Sequence, residues 1–188
     1  MVRLLSLVFI SLFALSVQAA DFGIEAGVRS QSGDSPTSGL TVQSRTNFQL
    51  GGVGQFTVSG PFELRTGLMY VQRSVDLKVS GATNTGLLTL TYFDIPVLAS
   101  YKFEDYGSVF AGPVLSFILD KKCDFGNGAA CDTSKAKSMV IPIQIGATFK
   151  FMPQMGATIF YETIPADLMT DVYTSSRAIG VNFLVTFD

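Results

Sequence analysis

The chain has 188 residues and a formal net charge of −2, with 13 basic and 15 acidic side chains, 16 Phe, 18 Gly and no His or Trp. That length suits one domain, no basic block offers a footprint for nucleic acid, and the lack of His excludes a Ser–His–Asp constellation. Mean hydropathy is positive at +0.38, yet beyond the N-terminus no run reaches the ~18 apolar residues of a spanning helix, so the apolar side chains fill either a large core or an apolar exterior.

The N-terminus reads as an export signal. Arg3, the uncharged run from Leu4 to Val17 and the small-residue site Ser16-Val17-Gln18-Ala19-Ala20 form the three parts of a secretory signal peptide. Cleavage is expected just before Asp21, because the apolar run is shorter than the roughly 20 residues that a membrane anchor needs. Residues 1–20 are thus the expected leader, and residues 21–188 the folded domain.

From Phe22 onward the chain divides into eight stretches of alternating polarity separated by turn-rich segments. They fall at Phe22–Gln31, Gln43–Val58, Phe62–Val79, Gly86–Phe103, Gly107–Asp120, Ser138–Met152, Met155–Ile164 and Ser176–Phe187. Gly, Thr, Val and Phe dominate them, a composition that favours strand over helix. In the first, Phe22, Ile24, Ala26 and Val28 oppose Glu25 and Arg29. In the second, Phe48, Leu50, Phe56 and Val58 oppose Arg45, Asn47, Gln49 and Gln55. The fourth sets Phe93, Ile95, Val97, Ala99, Tyr101 and Phe103 against Asp94, Ser100 and Lys102. The fifth is ambiguous, since Phe110 and Val114 share a face with Ser108 and Ser116. The sixth is the clearest, with Ile141, Ile143, Ile145, Ala147, Phe149 and Phe151 opposite Gln144, Gly146, Thr148 and Lys150. The last sets Ile179, Val181, Phe183, Val185 and Phe187 against Ala178, Gly180, Asn182 and Thr186.

Charges lie on the less apolar face throughout: Glu25, Arg29, Arg45, Glu63, Arg65, Asp94, Lys102, Lys150 and Glu162. A soluble sandwich would turn its apolar face inward. Three features favour the opposite arrangement. Connections alternate between short ones (Ser59-Gly60-Pro61, Glu104-Asp105-Tyr106, Pro153-Gln154) and mostly longer, polar ones (Asp34–Val42, Ser80–Thr85, Lys121–Lys137, Pro165–Ser175), as in outer-membrane barrels. Phe22, Phe62, Phe103, Tyr106, Phe151 and Phe187 gather near the short turns, where an interfacial aromatic girdle would lie. The polar face mixes four acids with five bases, which can neutralise one another inside a narrow cylinder. The expected fold is all-β: an eight-stranded antiparallel up-and-down transmembrane β-barrel with a charged lumen. Pro96, Pro113 and Pro142 each remove a ladder donor and are expected at bulges.

The stretch Tyr92-Phe93-Asp94-Ile95-Pro96-Val97-Leu98-Ala99-Ser100-Tyr101-Lys102-Phe103, followed by Val109-Phe110-Ala111-Gly112-Pro113, resembles strands of the bacterial outer-membrane β-barrel families. The likeness is to the porin-like group that includes PorT-type and OmpX- or OmpA-like small barrels. Gly180, Phe183, Val185 and Phe187 resemble the C-terminal assembly signal of such proteins, although Asp188 follows the final aromatic residue. The resemblance implies an outer-membrane location in a Gram-negative-type bacterium. It also implies outer-membrane lipid and the barrel-assembly machinery as partners, and says little about activity.

Cys123 and Cys131 are the only cysteines. In an exported protein they read as a disulfide within the longest loop. Two thiols without His make a poor metal site, and Asp120, Asp124 and Asp132 lack the spacing of a calcium loop. No cofactor fingerprint occurs, and no enzyme activity is expected. The functional expectation is a monomeric barrel with a filled lumen, serving a structural or surface-interaction role through loops that meet an extracellular protein or surface ligand. The alternative is a narrow channel or transporter for small molecules, hydrophobic ones among them.

Overall fold

The computed structural model describes residues 18–81, 85–104, 106–124, 133–170 and 172–187. Ten strands follow one another: β1 (Gln18–Asp34), β2 (Leu40–Gln43), β3 (Arg45–Ser59), β4 (Phe62–Val79), β5 (Thr85–Phe103), β6 (Gly107–Asp124), β7 (Met139–Val140), β8 (Ile143–Met152), β9 (Met155–Thr163) and β10 (Thr174–Phe187). Two pairs are interrupted staves: β2 and β3 are separated by Ser44, and β7 and β8 by Ile141-Pro142. Eight staves therefore stand where eight alternating stretches were expected. Each pairs antiparallel with its neighbour in sequence, and β1 pairs with β10, for example Ile24 opposite Val185, so the cylinder closes. Closure is what hydrocarbon demands, since each unpaired backbone group there lacks any solvent partner.

The alternation resolves as an inverted protein. Ile179, Ile159 and Phe149 are 62%, 59% and 57% exposed, whereas Arg29, Arg73 and Glu162 are 1%, 0% and 1% exposed. On β10 the outward apolar residues run from Phe187 to Ile179 and give way to exposed Arg177, matching the ~9–11 residues of a tilted transmembrane strand. The six aromatic residues expected near the short turns are all exposed. Tyr101 packs edge-on against both Phe62 and Phe103, at 5.3 and 5.2 Å. Those turns are tight: Gly60, at φ +55°, turns the chain between Ser59 and Pro61, a conformation that costs glycine least.

The prolines do not form bulges. Across Pro96 the β4–β5 register holds from Thr66↔Val97 to Met69↔Asp94, and across Pro113 the β5–β6 register holds from Pro96↔Val114 to Ala99↔Ala111. Each proline omits ladder rungs without inserting a residue, because it removes a donor and leaves strand length unchanged. Pro142 lies in the break between β7 and β8, where its carbonyl still accepts from Val114 N at 2.8 Å.

Residues 1–17, which hold most of the expected leader, lie outside the described residues. β1 starts at Gln18, three residues before the expected cleavage point, with Gln18 opposite Thr57 and Ala20 opposite Phe56.

Candidate functional site

Inward-facing side chains from seven staves meet in a continuous ionic layer. Glu162 on β9 binds Arg29 on β1 and also Arg73 on β4, the latter at 3.1 Å. Arg73 grips Asp94 on β5 in a fork, with Nη1 and Nη2 donating at 3.1 and 2.7 Å. Since β4 and β9 stand on opposite sides of the cylinder in the pairing order, Arg73–Glu162 ties the wall across its diameter. Lower down, Arg65 on β4 pairs with Glu25 on β1 and donates to Thr148 at 3.0 Å. Glu25 also accepts from Thr158 at 2.7 Å and from Asn182 at 3.2 Å. Gln49 joins the two groups, donating to Asn182 at 2.8 Å and accepting from Arg29 at 3.3 Å. Three guanidinium groups thus face three carboxylates in a buried, neutral set. Burial of such charges is tolerable only when each is paired and its remaining hydrogen-bonding capacity is met.

Aromatic rings complete the packing. The guanidinium of Arg65 sits 4.8 Å from the Phe110 centroid, that of Arg73 lies 4.9 Å from Tyr92, and that of Arg29 lies 5.7 Å from Phe160. These are distances at which a cation is attracted to a ring face. Glycines make room: a Cβ on Gly180 would meet Phe160 Cζ at 2.2 Å, and one on Gly146 would meet Phe110 Cζ at 2.5 Å. The void between these groups holds only about 30 Å³, the space of a water or two.

The expected lumenal charges are therefore gathered in large part. Glu25, Arg29, Arg65, Asp94 and Glu162 enter the layer, while Glu63 is buried near the short-turn end. Lys102 and Lys150 are half-buried beside Glu63. Arg45 departs from expectation. It stands at the outer rim, 43% exposed, and pairs with Asp76 at 2.7 Å, beyond the last β3–β4 rung at Gln49↔Val71. Arg73, the central cation, was absent from the expected set. Its even spacing from Arg65 along one alternating stretch was the signal that places it on the same face.

The outer third of the lumen is apolar, which the alternation did not announce. Val75, Leu77, Leu88, Leu90 and Tyr92 point inward and pack with Ala136, Val140, Ile164, Leu168, Met169 and Tyr173. The segments 133–140, 164–170 and 172–173 thus fold over the mouth as a cap. Lys137 N donates to Leu168 O at 3.0 Å, and Ala136 bridges to Met169. Cys123 packs half-buried against this cluster; Cys131 lies outside the described residues. Strands β4, β5 and β6, at 18, 19 and 18 residues, overshoot β8 and β9, at 10 and 9. With β2 they form a sheet standing beyond the apolar belt.

At the other end, Phe183 and Phe187 face outward, Val185 is half-buried and Gly180 lies beneath Phe160; Asp188 lies outside the described residues.

Residues 16–163 match the family model described as the outer membrane protein beta-barrel domain. The chain belongs to that family. It is an outer-membrane barrel of the Gram-negative envelope. Two solved structures share the fold of this family member. Ail, the attachment invasion locus protein of Yersinia pestis, in complex with the heparin analogue sucrose octasulfate, is 12% identical with a TM-score of 0.56, covering 89% of this chain and 99% of that one. Neisserial surface protein A is 12% identical with a TM-score of 0.55, covering 90% and 98%. At such identity the likeness is one of fold. No curated protein matches the sequence of this outer-membrane barrel.

Proposed function

We propose that the protein is a structural and surface-interaction barrel whose outer sheet and cap meet a ligand outside the cell. One observation carries this reading. The lumen is filled at two heights, by the ionic layer and by the apolar cap, while β2, β4, β5 and β6 project past the membrane belt. A wall tied internally by Arg73–Glu162 suits a rigid platform, and rigidity lowers the ordering cost of binding. The chain lacks His, and this reading assigns it no catalysis. The protein works as a monomer, inserted by the barrel-assembly machinery and solvated by outer-membrane lipid. Cys123 and Cys131 form a disulfide that stiffens the segment leading into the cap.

The experiment replaces Asp34–Val42 and Lys121–Lys137 by short Gly/Ser turns and measures adhesion of expressing cells to immobilised matrix proteins and heparin. The expected result is a barrel that still inserts, still shifts its gel mobility on boiling, and no longer adheres. Unchanged adhesion and phenotype would overturn the reading. The alternative, a narrow channel for small molecules, requires a through path wider than the ~30 Å³ void. Uptake of small solutes into liposomes above the empty-vesicle background would favour it.

A further inference from the structure

The short-turn end of the lumen holds a buried carboxylate that the ionic layer does not use. Glu63, the second residue of β4, is 8% exposed, and its Oε2 has no hydrogen-bond partner among the described residues. Directly across the β4–β5 ladder stands Ser100, also buried, with its Oγ likewise unpartnered. Glu63 lines a small cup with Gln55, Lys102, Ser108, Thr148 and Lys150. Lys150 Nζ lies 3.6 Å from Asp21 Oδ2 at its margin. A buried acceptor left without a donor carries the full cost of its desolvation.

We propose that this cup binds the zwitterionic end group of a periplasmic molecule: a primary ammonium that donates to Glu63, with a carboxylate or phosphate close by that faces Lys150 and Lys102. The mixed lining sets this choice. A lone cation would meet two lysines, and a lone anion would meet Glu63 and Asp21, whereas a group carrying both charges satisfies both. Free space of about 20 Å³ takes the water-sized ammonium alone, so the acidic group and the rest of the molecule stay at the cup's margin beside half-buried Lys150 and Lys102. The same chemistry has two sources at this face of the membrane, an α-amino acid terminus and a phosphoethanolamine lipid headgroup. The outward sheet and the cap contribute no residue to this cup, so loss of surface adhesion and loss of end-group binding are separable.

The test follows amide resonances of Ser100, Ser108 and Thr148 in the isotopically labelled barrel in micelles. The probes are glycine and phosphoethanolamine, with methylammonium and acetate as single-charge controls. Saturable shifts with glycine, phosphoethanolamine or both support the proposal, and their relative affinities distinguish the two sources. In Glu63→Gln and, separately, Lys150→Gln, binding should weaken by about tenfold or more, the scale of one charge-assisted hydrogen bond. Heat-dependent gel mobility confirms that each variant is folded, and Lys150→Gln serves alone if Glu63→Gln does not fold. Equal shifts from acetate or methylammonium overturn the proposal. So does the absence of saturable shifts up to about 100 mM, weaker than any millimolar site, which would leave a cup filled by water.

Discussion

Arg73 shows how much one side chain decides here. It bridges Asp94 and Glu162 at 0% exposure, so removing it strands the buried Asp94, while Glu162 keeps its second partner, Arg29. Arg73→Met should lower unfolding free energy by about 3–5 kcal/mol in urea titrations of the liposome-inserted barrel, as expected when a buried ion loses its partner. Arg45→Gln breaks an exposed pair with Asp76 and should cost at most about 1 kcal/mol in the same assay. The sequence reading placed Arg45 on the inward face and left Arg73 out; burial separates the two, and burial depends on how far the neighbouring strand continues. Outside the membrane, the hydrogen bond from Lys122 holds the Asp120 carboxyl below its usual 3.8. A lowered folded value means that the pair's contribution is present above that pH and is lost as pH falls through the lowered one. Titration of Asp120 by NMR should show its midpoint moving up toward 3.8 in Lys122→Gln.

Among the elements, strand breaks are where sequence and structure part. Alternation locates all eight staves, because side-chain direction in a strand has a period of two whatever surrounds it. It does not locate the seam between β3 and β4, where the ladder stops at Gln49↔Val71 and resumes with β2 at Gln43↔Asp76. There the side-chain amide of Asn47 stands in for a peptide group, donating to Ser74 O and accepting from Ser74 N, each at 2.9 Å. Asn47→Ala should speed hydrogen exchange at the Ser74 amide by tenfold or more, on the scale of about one lost hydrogen bond, while leaving Gly51 and Met69 protected. Equal protection of Ser74 in the variant would mean that the seam is closed by something else. The cap is the second surprise. Leu168 is fully buried in it, and Leu168→Ala should cost about 2–4 kcal/mol locally. That loss should raise exchange across residues 133–140 and leave the boiling-dependent gel shift unchanged.

For the whole molecule, family membership and closure agree: residues 16–163 match an outer-membrane barrel domain, and β1 seals against β10. Purified barrel in planar bilayers should show no steady conductance, because the ionic layer and the cap block the lumen in series; stable single-channel steps would contradict both. The sequence by itself determined the number of staves, their faces and the membrane-facing inversion, since each follows from local alternation and from where short turns fall. The ladder of Glu25, Arg29, Arg65, Arg73, Asp94 and Glu162, the rim position of Arg45 and the apolar cap were decided by tertiary structure. Pairing across a cylinder depends on the shear and radius at which distant strands meet, and one-dimensional alternation carries neither.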